Sequence, residues 1–254
     1  LLQAYQTIII LNSLTVTNEI INNGVLTLEN NSNLIQINNI TNTGSGNTIV
    51  NRNSSLIKRQ DYTMWSSPVN GTQTLLQFSP LTVTSPIRFN SYNPATLPDG
   101  YFEPLTNIQI NSPFETGKGY LIRVADNHPT VATVWNGVFN GMPNNGTITA
   151  PITPNQTGIT GFNAIGNPYP SDLDLPLFFA ENTNLTGSAY FWRKTNGAAN
   201  GYGYCTWASG VWTTNTSNAL APTNDKISPG QAFIVQANSG TSVTFKNTMR
   251  PIEN

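Results

Sequence analysis

Two pairs of matching segments, in the same order along the chain, constrain this sequence more than anything else in it. "YTMWSSPV" at 62–69 and "FNAIGNPY" at 162–169 share an aromatic first residue, an apolar fourth, two small polar residues and then Pro. Downstream, "TGKGYLIRV" at 116–124 lies against "PGQAFIVQA" at 229–237, each with Gly in second place, a small residue in fourth, then an aromatic and two aliphatics. Between them "IRFNSYN" (87–93) corresponds loosely to "AYFWRKTN" (189–196), and each segment later reaches a Phe-containing stretch, "GVFNG" or "VTFKN". The spacing drifts from 100 to 113 residues, so loop lengths differ. An internal duplication is expected, with units at about 61–150 and 160–250, rather than the chance likeness of unrelated β patterns. Pro after each first strand ends ladder pairing, and Gly opens the strand that follows where a bend is needed. Two sandwiches and two halves of one sandwich fit this pattern equally.

Residues 8–57 follow a different rule. "SLTVT", "GVLTLEN", "NLIQINN" and "NTIVNR" place Leu14 and Val16, Leu26 and Leu28, Ile35 and Ile37, and Ile49 at a spacing of two, separated by corners such as Asn22-Asn23-Gly24 and Thr43-Gly44-Ser45-Gly46. Rungs of about 9 to 13 residues with polar corners suit a parallel β-solenoid, in which each rung buries its apolar side against its neighbours. The alternative is an antiparallel meander. Composition supports β structure throughout: 36 Asn, 33 Thr, 20 Gly and 17 Pro favour turns, edges and extended strands over helix interiors.

Only 23 residues carry charge, 11 Lys+Arg and 12 Asp+Glu, so solubility rests on neutral polar groups. A net charge of −1 with scattered cations argues against nucleic acid, which requires clustered Lys and Arg. Arg52, Lys58 and Arg59 near one expected junction are the exception. No apolar run approaches the roughly 18 to 20 residues of a spanning helix. The start, "LLQAYQTIIILNSL", has no basic n-region and reads as an internal or processed piece of something longer. Cys205 is the single cysteine, so no internal disulfide forms.

Taken in order, "YTMWSSPV", "GKGYLIRV", "FNGMPNNGTI", "IGNPYPSDLD", "AYFWRK", "PGQAFIVQA" and "VTFKNTMR" resemble the conserved C-terminal region of large surface or secreted proteins exported by the type IX secretion system of Bacteroidota. "NNGVLTLENNSNLIQINN" is similar to the solenoid-like stretch that precedes that region. The resemblance covers nearly the whole chain, and its specificity lies in the order of motifs. It implies export across an outer membrane, then attachment or release at the cell surface, often in adhesins and other large proteins of gliding or polymer-degrading bacteria. It implies no agreed catalytic residue. Members typically end in a C-terminal sorting domain, which is absent where this chain stops at "MRPIEN".

Candidate chemistry is sparse. His128, the single histidine, sits in "ADNHPTV" beside Asp126 and before Pro, where an exposed turn residue is expected, and no Gly-x-Ser-x-Gly elbow accompanies it. Cys205 reads as a buried structural thiol. Twelve acids show no spacing that marks a glycosidase pair, so no enzyme is evident. Asp172 and Asp174 in "SDLD", with carbonyls of the Pro-rich turn, are the candidate Ca²⁺ ligands, as are Asp126-Asn127 and Asn224-Asp225. Against this stands an Asx turn or a cap on a short helix at "DLPLFFAEN", the one helical turn expected. "GYGYCTWASGVWTT" offers Tyr202, Tyr204, Trp207 and Trp212 as candidate carbohydrate-binding aromatics, although alternation places Tyr202 and Tyr204 on one face, also the core pattern of a hairpin. Asn-x-Ser/Thr triplets such as Asn70-Gly71-Thr72 and Asn145-Gly146-Thr147 are expected by chance in such a composition.

The expectation is an all-β chain: a short parallel β-solenoid segment at 1–58, then a duplicated β-sandwich or jelly-roll region at 59–254. Its expected role is a structural or adhesive module of a large extracellular, cell-surface protein exported by type IX secretion. The alternative is a carbohydrate-binding accessory module of a secreted polymer-degrading enzyme. Expected partners are other cell-surface or secretion-system proteins, or polysaccharide, with no nucleic acid and no membrane span.

Overall fold

A computed structural model describes residues 1–96, 100–194, 202–214, 222 and 224–251. It is all-β, with three short α-helices and one 3-10 turn (Asn247–Met249) among the described residues. The first part comprises β1 (Leu2–Ala4), β2 (Thr7–Ile10), β3 (Ser13–Val16), β4 (Ile20–Asn22), β5 (Val25–Leu28), β6 (Asn33–Gln36) and β7 (Asn47–Ile57). Pairing among them is parallel: β1 with β4, β2 with β5, β5 with β7, and β3 with β6. Leu2 lies against Ile20, Thr7 against Val25, Ser13 against Asn33 and Val25 against Asn47, so one turn takes 18 to 22 residues, and the first has three short sides. Each expected rung is thus one side of a coil, not a whole coil.

Val16, Leu26, Leu28 and Ile35 are buried and Leu14 partly so, but Ile37 is exposed and Ile49 lies on the outer parity of β7. Leu34, Thr48 and Val50 take the inward places instead. Hydrophobicity alone chose the wrong parity in β6 and β7 because Gln36 and Thr48 are polar inward residues, satisfied by Asn42, whose Oδ1 accepts from the Gln36 amide at 2.7 Å, and by the Asn22 amide, which donates to Thr48 Oγ1 at 3.2 Å. Corners are set by backbone contact. A Cβ on Gly24 would lie 2.3 Å from the Gln6 carbonyl oxygen, and one on Gly46 2.3 Å from that of Gly24, so close stacking requires glycine there.

The rest of the chain comprises β8 (Tyr62–Trp65), β9 (Val69–Asn70), α1 (Leu75–Phe78), β10 (Phe89–Asn93), β11 (Tyr101–Pro104), α2 (Asn107–Ile110), β12 (Tyr120–Arg123) and β13 (Thr133–Pro143). There follow β14 (Ile148–Pro151), β15 (Phe162–Gly166), β16 (Leu173–Asp174), α3 (Leu175–Glu181), β17 (Leu185–Lys194), β18 (Tyr202–Ala208), β19 (Val211–Thr214), β20 (Lys226–Ile227), β21 (Ala232–Ala237) and β22 (Ser242–Phe245). Two sheets of like order result, β11-β10-β12-β8 and β19-β18-β17-β21-β15.

Their registers coincide. Trp65 pairs with Tyr120, and Ile165 with Phe233, the residues that the sequence matches set in correspondence. Phe89 pairs with Ile122 and Ala189 with Val235, so the second strands correspond two residues away from the loose alignment of "IRFNSYN" with "AYFWRKTN". A slip of two leaves every side chain on its face, which is why a pattern of faces does not reveal it. The helices follow the same plan. Thr74 caps α1 and Asp174 caps α3, their side chains accepting from the amides of Gln77 and Leu177. With α2, capped by Thr106, this makes three α-helices among the described residues, against the one helical turn expected.

Burial divides the interior into three clusters. One lies within the second unit, around Tyr169, Leu175, Phe178, Phe191, Phe233 and Phe245. Another joins the coil to the first unit, running from Ile20, Leu26 and Leu28 to Trp65, Phe78 and Phe139. No break occurs at residue 58, because β7 pairs with β13 from Ile57↔Thr133 to Thr48↔Gly141 and one sheet runs β2-β5-β7-β13-β9. The third cluster fills the space between the facing sheets, with Met64 and Leu121 against Ala164, Ala232 and Ile234. Among the described residues no helix is long and apolar enough to cross a membrane.

Candidate functional site

"IGNPYPSDLD" proves to be a joint. The Asn167 amide donates to the carbonyls of Ser171 and Ile227 at 2.8 and 2.9 Å, and the Tyr169 hydroxyl donates to Gly146 O at 2.5 Å. Leu34 N donates to Pro170 O and Asp172 N to Asn33 Oδ1, so the turn also grips the coil. Arg250 closes the joint. Its guanidinium is buried, donates to Ser171 Oγ at 2.7 Å, to Asn145 Oδ1 at 3.1 Å and to the Leu34 carbonyl, and lies 4.8 Å from the centre of the Tyr169 ring. Desolvation pulls its pKa down to about 10. Three motifs far apart in sequence, "FNGMPNNGTI", "IGNPYPSDLD" and "VTFKNTMR", thus meet in one hydrogen-bonded cluster whose groups satisfy one another.

The residues singled out for chemistry are mostly engaged in the same way. Asp174 Oδ1 accepts from Leu177 N at 2.8 Å as a helix cap, and its counterpart in the first unit is the uncharged cap Thr74. Asp126 pairs with Arg123 at 3.0 Å. Asp225 accepts from both indoles, Trp207 Nε1 at 2.9 Å and Trp212 Nε1 at 3.1 Å. No group of three or more His, Cys, Asp or Glu side chains that could hold a metal ion occurs among the described residues. His128 is buried rather than exposed, its Nε2 2.9 Å from Ile57 O where the coil ends. Burial raises the pKa of Cys205, which lies in the core.

The four aromatics of 202–214 do not form one platform. In β18, Cys205 and Trp207 face the core of the second unit, where the Trp207 ring stacks on Phe179 at 5.3 Å and 8°. Trp212 packs beside it against Phe191 at 5.2 Å. Tyr204 points the other way, into the space between the sheets, and the side chain of Tyr202 lies outside the described residues. The Trp207 ring is buried within its own domain, and Trp212 is half-buried against it.

Tyr204 belongs instead to an open cleft of about 450 Å³. Tyr92, Tyr101, Phe102 and Leu121 of the first unit line one wall, and Phe162, Tyr190, Tyr204 and Ile234 of the second line the other. Edge-to-face pairs hold the rings: Tyr92 with Phe102 at 5.2 Å, and Phe162 with Tyr190 at 5.8 Å. Partial burial raises the Tyr204 phenol above its ordinary pKa. Most of these residues were missed in the sequence, where only the richest stretch of aromatics drew notice. The available signal was the period of two: Tyr190 and Trp192 in "AYFWRK" occupy the parity opposite the core residues Ala189 and Phe191.

Comparison with known proteins adds a family without a described activity. No curated protein and no solved structure matches the chain. The model of one family, described as a domain of unknown function (DUF8693), matches residues 3–254, nearly the whole chain, which therefore belongs to that family.

Proposed function

We propose that this chain is a structural and adhesive module of a large extracellular protein exported by type IX secretion, and that it engages carbohydrate through the cleft between its two units. The observation that carries the reading is the aromatic cleft of about 450 Å³, whose walls come from both units. A concave site of a few hundred Å³ lined by aromatic rings with a few polar tips has the form of a ligand site. Tyr rings present a negative π face beside a hydroxyl, which suits the polarised C–H face and hydroxyl rim of a sugar. The parallel coil, packed on the first unit and bonded to the second, supplies a rigid support for that cleft. Export and surface location rest on the ordered motifs and on no single residue.

Retention of the purified chain on a panel of soluble and insoluble polysaccharides tests the reading. Wild type is expected to be retained on at least one, and Tyr190→Ala/Tyr204→Ala to lose retention at least tenfold with an unchanged folded circular-dichroism spectrum. Binding that survives the double substitution would move the site elsewhere. Retention on nothing would leave a scaffold with a protein partner.

A further inference from the structure

We infer that a small basic hollow beside the aromatic cleft is an oxyanion subsite, so that the ligand is an acidic polysaccharide bearing carboxylate or sulfate groups. The inference rests on the cleft being the glycan site. Arg52, Arg193 and Lys194 all line the hollow, which has a volume of about 80 Å³. The chain has only 11 Lys and Arg. Three of them converge here from β7 and β17, strands that are far apart in sequence.

Both arginines are held in place. Arg52 Nη1 donates to Asn31 Oδ1 at 2.7 Å. The Arg193 guanidinium lies 5.8 Å from the centre of the Phe191 ring and donates to Cys205, while its buried Nε has no hydrogen-bond partner. A buried donor without a partner is costly. Guanidinium forks match the paired oxygens of carboxylate and sulfate. Asp61, 3.7 Å from Lys194, and Asp172, which acts on the Arg52 charge, offset part of the positive charge. Three cations against two acids leave the cluster with one net positive charge. The hollow has room for a single oxyanion group and not for a sugar ring.

The hollow adjoins the cleft by construction. On β17 Tyr190 lines the cleft and Trp192 the hollow; on β21 Ile234 lines the cleft and Ala232 the hollow; and Leu121 of the cleft pairs across strands with Met64 of the hollow. Two residues along a strand span about 7 Å. A sugar ring seated in the cleft therefore brings an acidic substituent of its own or of the next residue to the arginines.

Affinity of the full chain for a neutral β-glucan, a polyuronate and a sulfated galactan, measured at matched ionic strength, tests this. Preference of at least tenfold for an acidic polymer is expected, with the polyuronate and sulfated arms deciding which group is taken. Arg52→Met and Arg193→Met, or rim variant Lys194→Glu should either arginine variant fail to fold, are expected to erase that preference and leave neutral binding unchanged. Equal binding of neutral and acidic polymers would overturn the inference and spare the cleft. If no polymer binds, inorganic sulfate separates the two ideas. A rise in Tm with millimolar sulfate over matched chloride, lost in Arg52→Met, would uphold the anion subsite without the glycan reading, and no such rise would overturn both.

Discussion

The two units share a plan and differ in what completes them. In the second unit Phe178 stacks on Phe245 at 5.2 Å and meets Phe233 edge-on, all within one self-contained cluster. In the first unit Phe78 stacks on Phe139 at 4.5 Å in the equivalent arrangement, but the cluster continues through Trp65 into Leu26, Leu28 and Ile20 of the coil. The same strand order and caps thus serve one core closed by its own β18 and β19 and another closed by a neighbouring solenoid. A repeat specifies faces and register; what covers the outer face decides whether it stands alone.

Substitutions at equivalent places sharpen this contrast. Phe178→Ala and Phe78→Ala should each cost about 3 to 5 kcal/mol, measured by urea unfolding. Partial proteolysis should then distinguish them, with cleavage appearing in the second unit for Phe178→Ala and in both coil and first unit for Phe78→Ala. Arg250→Met should cost about 2 to 3 kcal/mol, because the Leu34 carbonyl and the side chains of Ser171 and Asn145 lose a buried donor. Its effect should be largest on exchange protection at Leu34, where coil and second unit meet. Gly46→Ala should cost about 1 to 3 kcal/mol by driving a Cβ into the Gly24 carbonyl, read as a lowered Tm with the second unit still protected.

The smallest effects concern the caps. Asp174→Ala and Thr74→Ala should each cost about 1 kcal/mol, and Asp174→Asn should be close to neutral because Asn also caps. Tm should not change on adding EDTA or Ca²⁺. A Ca²⁺-dependent rise in Tm that disappears in Asp174→Asn would restore the metal reading of Asp172 and Asp174.

Much of the architecture was legible in the sequence because it depends on local signals. The Pro after each first strand, the Gly-small-aromatic-aliphatic strand and the Asn-Gly corners each mark a backbone need, and the equivalence of the Trp65↔Tyr120 and Ile165↔Phe233 pairs agrees with the matched segments, although the pairing itself is seen only in the fold. What was hidden depends on what lies on the other side of a face. Trp207 and Tyr204 look alike in sequence, yet one parity is sealed by Phe179 and the other opens to the cleft. At "SDLD" the sequence offered both a ligand and a helix cap, and the bond from Leu177 N to Asp174, matched by Thr74 in the first unit, makes Asp174 the cap. Arg52 and Arg193 are far apart in sequence, and nothing local predicts that they meet.

The most direct test of the shared core is native-state hydrogen exchange of Leu26→Ala, which hollows the coil at a residue fully buried in the wild type. Protection should fall in β2, β5 and β7 and, by a comparable factor, in β8 and β12 of the first unit, while β17 and β21 keep wild-type rates. A loss confined to residues 1–57, with 62–65 and 120–123 unchanged, would show that the coil and the first unit have separate cores and would contradict the account.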